Sequence, residues 1–192
     1  VLSGSTTGVA EGRDVTLTIR DKDGTVKTVI ATVQSDGTYS TTVDISAGLA
    51  EGPITVVAEV TDEAGNSANA DKSATLDLTA PSITIEAVAG DDVVDWSEKM
   101  VDGFTVTGTV TGAEEGRVIT VTFDDAEGNP ILDADGNPIS LTTTVGTTDS
   151  WTVDVSTDLA KLLKDGVAKA EVSDAAGNST QATQPYELAA PP

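Results

Sequence analysis

The chain has no cysteine and no histidine. Without cysteine no disulfide can staple a small domain, so packing or a metal must do that work. Without histidine the chain lacks the one side chain that titrates near neutral pH unperturbed. It also lacks the commonest general base and transition-metal ligand. Serines are plentiful, but a nucleophile–base triad of the usual kind cannot be built. Aromatic side chains are equally scarce, with two Trp, two Tyr and two Phe in 192 residues. That is poor material for a sugar-stacking cleft, although paired carboxylates for glycoside hydrolysis stay open where acids are this common. Basic residues number 10 against 32 acidic ones, a formal net charge of −22. Such a chain repels the phosphates of nucleic acid and anionic membrane surfaces. No apolar run approaches the ~20 residues of a membrane span, and no secretion leader pattern is visible. The acidity suits a solvated or salt-adapted surface, or the binding of a hard cation such as calcium.

What the chain does contain is said twice. LAEGPITVVAEVTDEAGN (49–66) returns as LKDGVAKAEVSDAAGN (163–178), and STTGVAEGRDVTLTI (5–19) as TVTGAEEGRVITVTF (109–123). The first pair of Asp-x-Ala-Gly-Asn cassettes is offset by 112 residues and the upstream segments by 104. A repeat of this length is a whole domain, so the expectation is two domains, 1–80 and 81–192, from a tandem array. The opening in mid-pattern and the final Pro191–Pro192 suggest a piece of something longer. Arrays of one module serve reach, spacing or binding more often than catalysis.

Apolar residues alternate with period two almost throughout, as in Val15-Thr-Leu17-Thr-Ile19 and Trp151-Thr-Val153-Asp-Val155. Thr- and Val-rich segments of this kind are half-buried antiparallel strands. Asp23-Gly24, Asp36-Gly37, Gly128-Asn129-Pro130 and Asp135-Gly136-Asn137-Pro138 punctuate them as turns. The expected fold class is all-β: two tandem immunoglobulin-like antiparallel sandwiches arranged end to end. In the second domain strands are expected near 83–88, 104–110, 117–124, 139–145, 150–155, 166–173 and 179–188. A turn of helix is expected within Thr157–Lys164, with a counterpart at Ala47–Glu51. The first domain has no counterpart of 83–104, so its first strand is missing or supplied elsewhere. Tyr39 and Trp151 fall at matching places and read as core aromatics. Ala80-Pro81 marks the boundary, because Pro81 cannot donate to a ladder and holds Ala80 extended.

The sharpest motif is Gly90-Asp-Asp-Val-Val-Asp-Trp-Ser-Glu98. Calcium accepts six to eight oxygens in irregular geometry, and Asp91, the Val93 carbonyl, Asp95 and Glu98 can wrap one ion, with Asp92 beside them. The other reading is a solvated acidic loop in which Glu98 begins a helical turn. The frame is not an EF-hand, since Trp96 stands where that loop needs glycine. Strand order would bring Glu114, Glu115, Asp174 and Asn178 towards the linker carrying Asp77, and the 90–98 loop towards Glu187. A cation at such a junction would stiffen it. The alternative is that the Asp-x-Ala-Gly-Asn cassette is only a hairpin turn. Asp21–Gly24 and Asp133–Asn137 resemble calcium loops in composition but read as hairpin turns. Asn178-Ser-Thr180 fits a glycosylation sequon, a pattern common by chance.

The succession LDLTAPSITIEAVAGDDVVDWSE, TVTGTVTGAEEGRVITVTF, WTVDVS and DGVAKAEVSDAAGN resembles the bacterial immunoglobulin-like repeats of giant type I-secreted adhesins. These include biofilm-associated and ice-binding RTX adhesins and large non-fimbrial adhesins of enteric bacteria. The resemblance covers essentially the whole chain. It implies a non-enzymatic extender, extracellular at the cell surface, that is rigidified by Ca2+ at its linkers and projects a distal binding domain. It implies Asp77 and the Asp91–Glu98 loop as ligands. It further implies neighbouring repeats of the same chain as partners, a monomer, and no direct membrane or nucleic-acid contact. The pattern departs where the first domain lacks a 90–98 loop and where Glu187 replaces a linker aspartate. The Gly-Gly-x-Gly-x-Asp nonapeptide is absent. The rival reading is an adhesin domain that grips a glycan or protein directly, using the longer 124–140 hairpin.

Overall fold

The computed structural model describes residues 1–45 and 48–190. The chain divides into two compact units, Val1–Leu78 and Thr79–Pro192. No helix among the described residues is long and apolar enough to cross a membrane.

The first unit holds β1 (Leu2–Ser5), β2 (Asp14–Asp21), β3 (Val26–Thr32), β4 (Thr38–Thr41), β5 (Gly52–Thr61) and β6 (Ser67–Leu76). One sheet has the order β3-β2-β5-β6 and the other is the pair β1-β4. The alternation of β2 buries Val15, Leu17 and Ile19 and leaves the residues between them outside or half outside. Ala31 and Val33 join that core, with Leu2 and Tyr39 packed against it from the other sheet and Val9 from the loop after β1. The helical turn expected at Ala47–Glu51 begins on a residue outside the described ones, and Gly48–Glu51 forms none.

The second unit is fuller. β7 (Ser82–Val88), β8 (Val93–Val94), β9 (Phe104–Thr111), β10 (Val118–Asp125), β11 (Ser140–Thr144), β12 (Ser150–Val155), β13 (Gly166–Ser173) and β14 (Ser179–Leu188) form two sheets. Their orders are β11-β10-β13-β14-β8 and β12-β9-β7. All pairings are antiparallel except β14 with β8, where Glu187 lies beside Val93 and Leu188 beside Val94. A bulge between Ile85 and Ala87 bends β7. The core runs from Ile83, Val88 and Val106 on one sheet to Ile119, Val121, Phe123 and Val172 on the other. Phe123 and Tyr186 meet edge to face, with ring centroids 6.0 Å apart and an interplanar angle of 88°.

Helix α1 covers only Thr157–Ala160, capped where the Ser156 hydroxyl accepts from the Leu159 amide. It is shorter than the patch expected at 157–164, because Leu163 leaves the helix to fill the core. The 124–140 hairpin is pinned to the body by Ile131 and Ile139, both buried.

Candidate functional site

In each unit one arginine grips the start of the fold's repeated cassette. Arg117 Nε donates to the Ser173 carbonyl at 2.8 Å and Nη2 to the Asp174 carbonyl at 2.5 Å. Arg13 does the same to Thr61 and Asp62, at 3.0 and 2.7 Å. The cassette itself is a closed turn. Asp174 Oδ1 accepts from the Asn178 amide and Oδ2 from the Asn178 side chain, at 2.8 and 2.9 Å. Asp62 and Asn66 repeat both contacts, each at 2.8 Å. The Asn178 side chain, then its amide, hold the Asp174 carboxyl below the usual carboxylate range against the opposing effect of burial. Asp62 is held low by the same two donors of Asn66. The Glu114 carboxylate accepts from the Ala175 amide at 2.8 Å, drawing its loop to the cassette.

Asp174 is only 1% exposed and both of its oxygens are spent on Asn178. The structure therefore turns this expected ligand pair inward, into its own hairpin. Asp77 lies just after β6 at the end of the first unit, while Asp174 and Asn178 belong to the second.

The 91–98 loop is built differently from a simple ion cage. Asp91 Oδ1 accepts from the Val93 amide at 3.1 Å. Asp92 adopts a left-handed conformation, φ 65°, which a short polar side chain tolerates better than most. Its carboxylate accepts from the Val88 amide at 3.0 Å and from Gln184 Nε2 at 2.8 Å, stapling the exit of β7 to β14. Asp95 Oδ1 accepts from the Glu98 amide at 2.9 Å, and Glu98 Oε2 from the Asp95 amide at 2.8 Å. That reciprocal pair is a capping box at the head of the helical stretch 96–102, which ends as the π-helical turn Glu98–Asp102. Sequence reasoning offered Glu98 at a helical start only as the alternative; the Asp-x-x-Glu spacing was the signal.

Asp91, Asp92 and Val93 share one shallow depression with Glu187. Asp95 lies in the neighbouring one with Trp96, Lys99 and Asp165. The donors are all hard oxygens, which suits calcium in kind. Among the described residues no three carboxylates converge on a point that would hold an ion. The loop thus fits a cation in chemistry but not in convergence, and an ion there would draw on carbonyls and water. The calcium-like loops of the hairpins are turns: Asp21 accepts from the amides of Asp23, Thr25 and Ala50, and Asp133 from those of Asp135 and Asn137.

Two sheets, antiparallel but for the short β14–β8 pairing, form the sandwich of an immunoglobulin-like fold. Residues 5–79 match the family described as bacterial Ig-like domain. A bacterial immunoglobulin-like domain from the M. primoryensis ice-binding adhesin is 30% identical to the chain. The match covers 58% of this chain and 99% of that one, at a TM-score of 0.41. The chain belongs to the bacterial immunoglobulin-like domain family. A tetra-tandem repeat from the extending region of a large adhesion protein is 31% identical, over 96% of this chain and 44% of that one, TM-score 0.42. A Ca2+-stabilized adhesin, described as helping an Antarctic bacterium reach out and bind ice, is 31% identical, over 97% of this chain and 43% of that one, TM-score 0.45. The chain thus spans less than half the length of these last two relatives. Among the curated proteins none matches.

Proposed function

We propose that the chain is a structural extender module of a large bacterial surface adhesin. It works outside the cell, carries no catalytic activity, and is joined in line to neighbouring immunoglobulin-like repeats of the same polypeptide. It acts as a monomer that projects a distal binding domain for adhesion or biofilm formation. The observation that carries this reading is the duplicated tie of Arg13 to Thr61 and Asp62 and of Arg117 to Ser173 and Asp174. Both units spend their most distinctive polar residues on fixing the ends of their own strands. The duplicated feature is mechanical, whereas a recognition domain would be unlike its neighbour. The 124–140 hairpin, the feature that would favour direct ligand binding, sinks Ile131 and Ile139 into the core and closes on two tight turns.

Calcium completes the proposal. The net charge of −22 makes the chain repel itself. A divalent ion held by the Asp91 side chain, the Val93 carbonyl and Glu187, with water filling the rest of its shell, would relieve that repulsion at one end of the second unit. A site short of converging carboxylates belongs to the weak class, with a Kd of ~10⁻⁴–10⁻³ M, which millimolar extracellular calcium fills. The test is a melting curve of the chain in chelator and at rising calcium, with D91N/E187Q as control. The expected outcome is a transition temperature that rises in the millimolar range and does so less in the double variant. Identical curves in all conditions would remove calcium from the account.

A further inference from the structure

Five Asp-Gly pairs occur in the chain, at 23–24, 36–37, 102–103, 135–136 and 165–166. Such a pair is chemically labile, because glycine has no side chain to hold its amide nitrogen away from the preceding carboxyl group. The reaction needs a carboxyl group free of donors, an amide nitrogen that can be released, and room for the backbone to turn.

Three of the pairs are latched. The Asp36 Oδ1 accepts from the Thr38 amide at 2.9 Å and from its hydroxyl at 2.6 Å. The Thr38 hydroxyl, then its amide, hold that carboxyl below the usual carboxylate range, so little of it carries the proton that must leave with its oxygen. Asp102 Oδ2 accepts from the Ser97 hydroxyl at 2.6 Å, and Asp165 Oδ1 from the Leu188 amide at 2.7 Å. The glycines that follow are hemmed in as well. A Cβ on Gly37, Gly103 or Gly166 would strike the carbonyl oxygen of Thr6, Val155 or Asp124 respectively.

The other two pairs are open. Asp23 and Asp135 are exposed, and among the described residues nothing donates to either carboxylate. Nothing lies within 4 Å of where a Cβ would stand on Gly24 or Gly136. The amides of these glycines reach the Asp21 and Asp133 carbonyls at 3.2 Å each, against 2.9 and 3.0 Å for the bonds that hold the Gly37 and Gly103 amides. Both pairs sit in the same Asp-x-Asp-Gly turn. In each, the first aspartate accepts from the amides two and four residues further on.

We propose that Asp23 and Asp135 are sites of spontaneous isoaspartate formation in the folded chain, and that Asp36, Asp102 and Asp165 are protected from it. The glycine amide nitrogen attacks the aspartate Cγ. The N–Cγ bond forms, and the amide proton leaves with the carboxyl hydroxyl as water, closing a succinimide ring. Water then adds at the main-chain carbonyl carbon, and the bond from that carbon to the nitrogen breaks. The backbone now runs through Cβ and Cγ, one carbon longer, with the mass of the protein unchanged. At Asp23 the longer link lies inside a turn whose Asp21 carboxylate also accepts from the distant Ala50 amide, so modification there loosens a latch of the first unit. At Asp135 it lies in a hairpin tip where Asp133 accepts only from its own turn, so the change stays local. The inference does not depend on the extender reading or on calcium.

The test holds the whole chain for weeks in warm near-neutral buffer, digests it, and locates isoaspartate by electron-transfer mass spectrometry, which cleaves the new Cα–Cβ link. A parallel sample in guanidinium chloride reads the rate of each pair without the fold. In the folded chain isoaspartate is expected at 23 and 135 in about tenfold or greater excess over 36, 102 and 165, the factor that one hydrogen bond to a charged group withholds. In guanidinium the five pairs should converge. Similar amounts at all five positions of the folded chain, a larger amount at any latched pair, or no isoaspartate at 23 and 135 would each overturn the proposal. The same excess at 23 and 135 in guanidinium would also overturn it, since the preference would then belong to the neighbouring residues and not to the fold.

Discussion

The second unit fills its core with Phe123 and Tyr186, where the first has Ile19 and Ala74 at the corresponding places. It also covers that core with β7, which has no counterpart among the described residues of the first unit. The turns, the arginine tie and the capped cassette are nonetheless the same in both. Local chemistry is thus the same with or without a strand laid over the sheet, while core burial is not. Closed turns and ties are satisfied by residues a few positions apart or on one neighbouring loop. Burial of strands such as β13 and β14 needs β7 from the opposite sheet, and each Å² of apolar surface so covered is worth about 25 cal/mol.

The largest break in this comparison is expected at the paired glycines. Gly108→Ala drives a Cβ into the backbone of β7 and should cost the second unit about 3 kcal/mol. Gly4→Ala meets only the ring of partly buried Tyr39, which can move, and should cost about 1 kcal/mol. Denaturant titration followed by Trp151 fluorescence for the second unit, and by exchange of β5 amides for the first, reads the two costs. Equal costs would mean that β7 is not what makes Gly108 obligatory.

Next come the ties, which should be equal where the cores are not. Arg117→Ala and Arg13→Ala each remove two charge-assisted hydrogen bonds and should each cost about 2 kcal/mol. A cost confined to Arg117 would show that the tie needs a full core to act against.

The smallest effect is with acid. Asp21 and Asp62 in the first unit, and Asp125 and Asp174 in the second, are all held below the ordinary carboxylate value of 3.8 by hydrogen bonds, of which Ala50 gives the largest at Asp21 and Asn129 at Asp125. A depressed folded value means that the contribution is complete above the unfolded value and is lost as pH falls through the folded one. Both units should therefore lose stability below about pH 4, and D174N should flatten that fall in the second unit only. A flat response of the native chain between pH 5 and pH 2 would contradict the hydrogen-bonded turns.

Most of the strand plan was legible, because alternation such as Val15-Leu17-Ile19 has only one way to face a core. Strands expected near 104–110 and 150–155 stand at Phe104–Thr111 and Ser150–Val155. The two-residue strand β8 was not legible, since its parallel pairing with Glu187 and Leu188 is set by a contact far along the chain. The candidate site was legible as a set of acids but not as an arrangement. No spacing rule shows that Asp92 will take a positive φ and staple Gln184. The Asp95–Glu98 box, by contrast, follows from a local pattern. Residue type announces the affinity for cations, but three-dimensional convergence decides which oxygens are left to bind one.

The most direct test of the extender account is small-angle scattering of the chain in chelator and in millimolar calcium. The account expects calcium to narrow the distance distribution of the chain. A distribution that is the same in both conditions would contradict a calcium-stiffened extender.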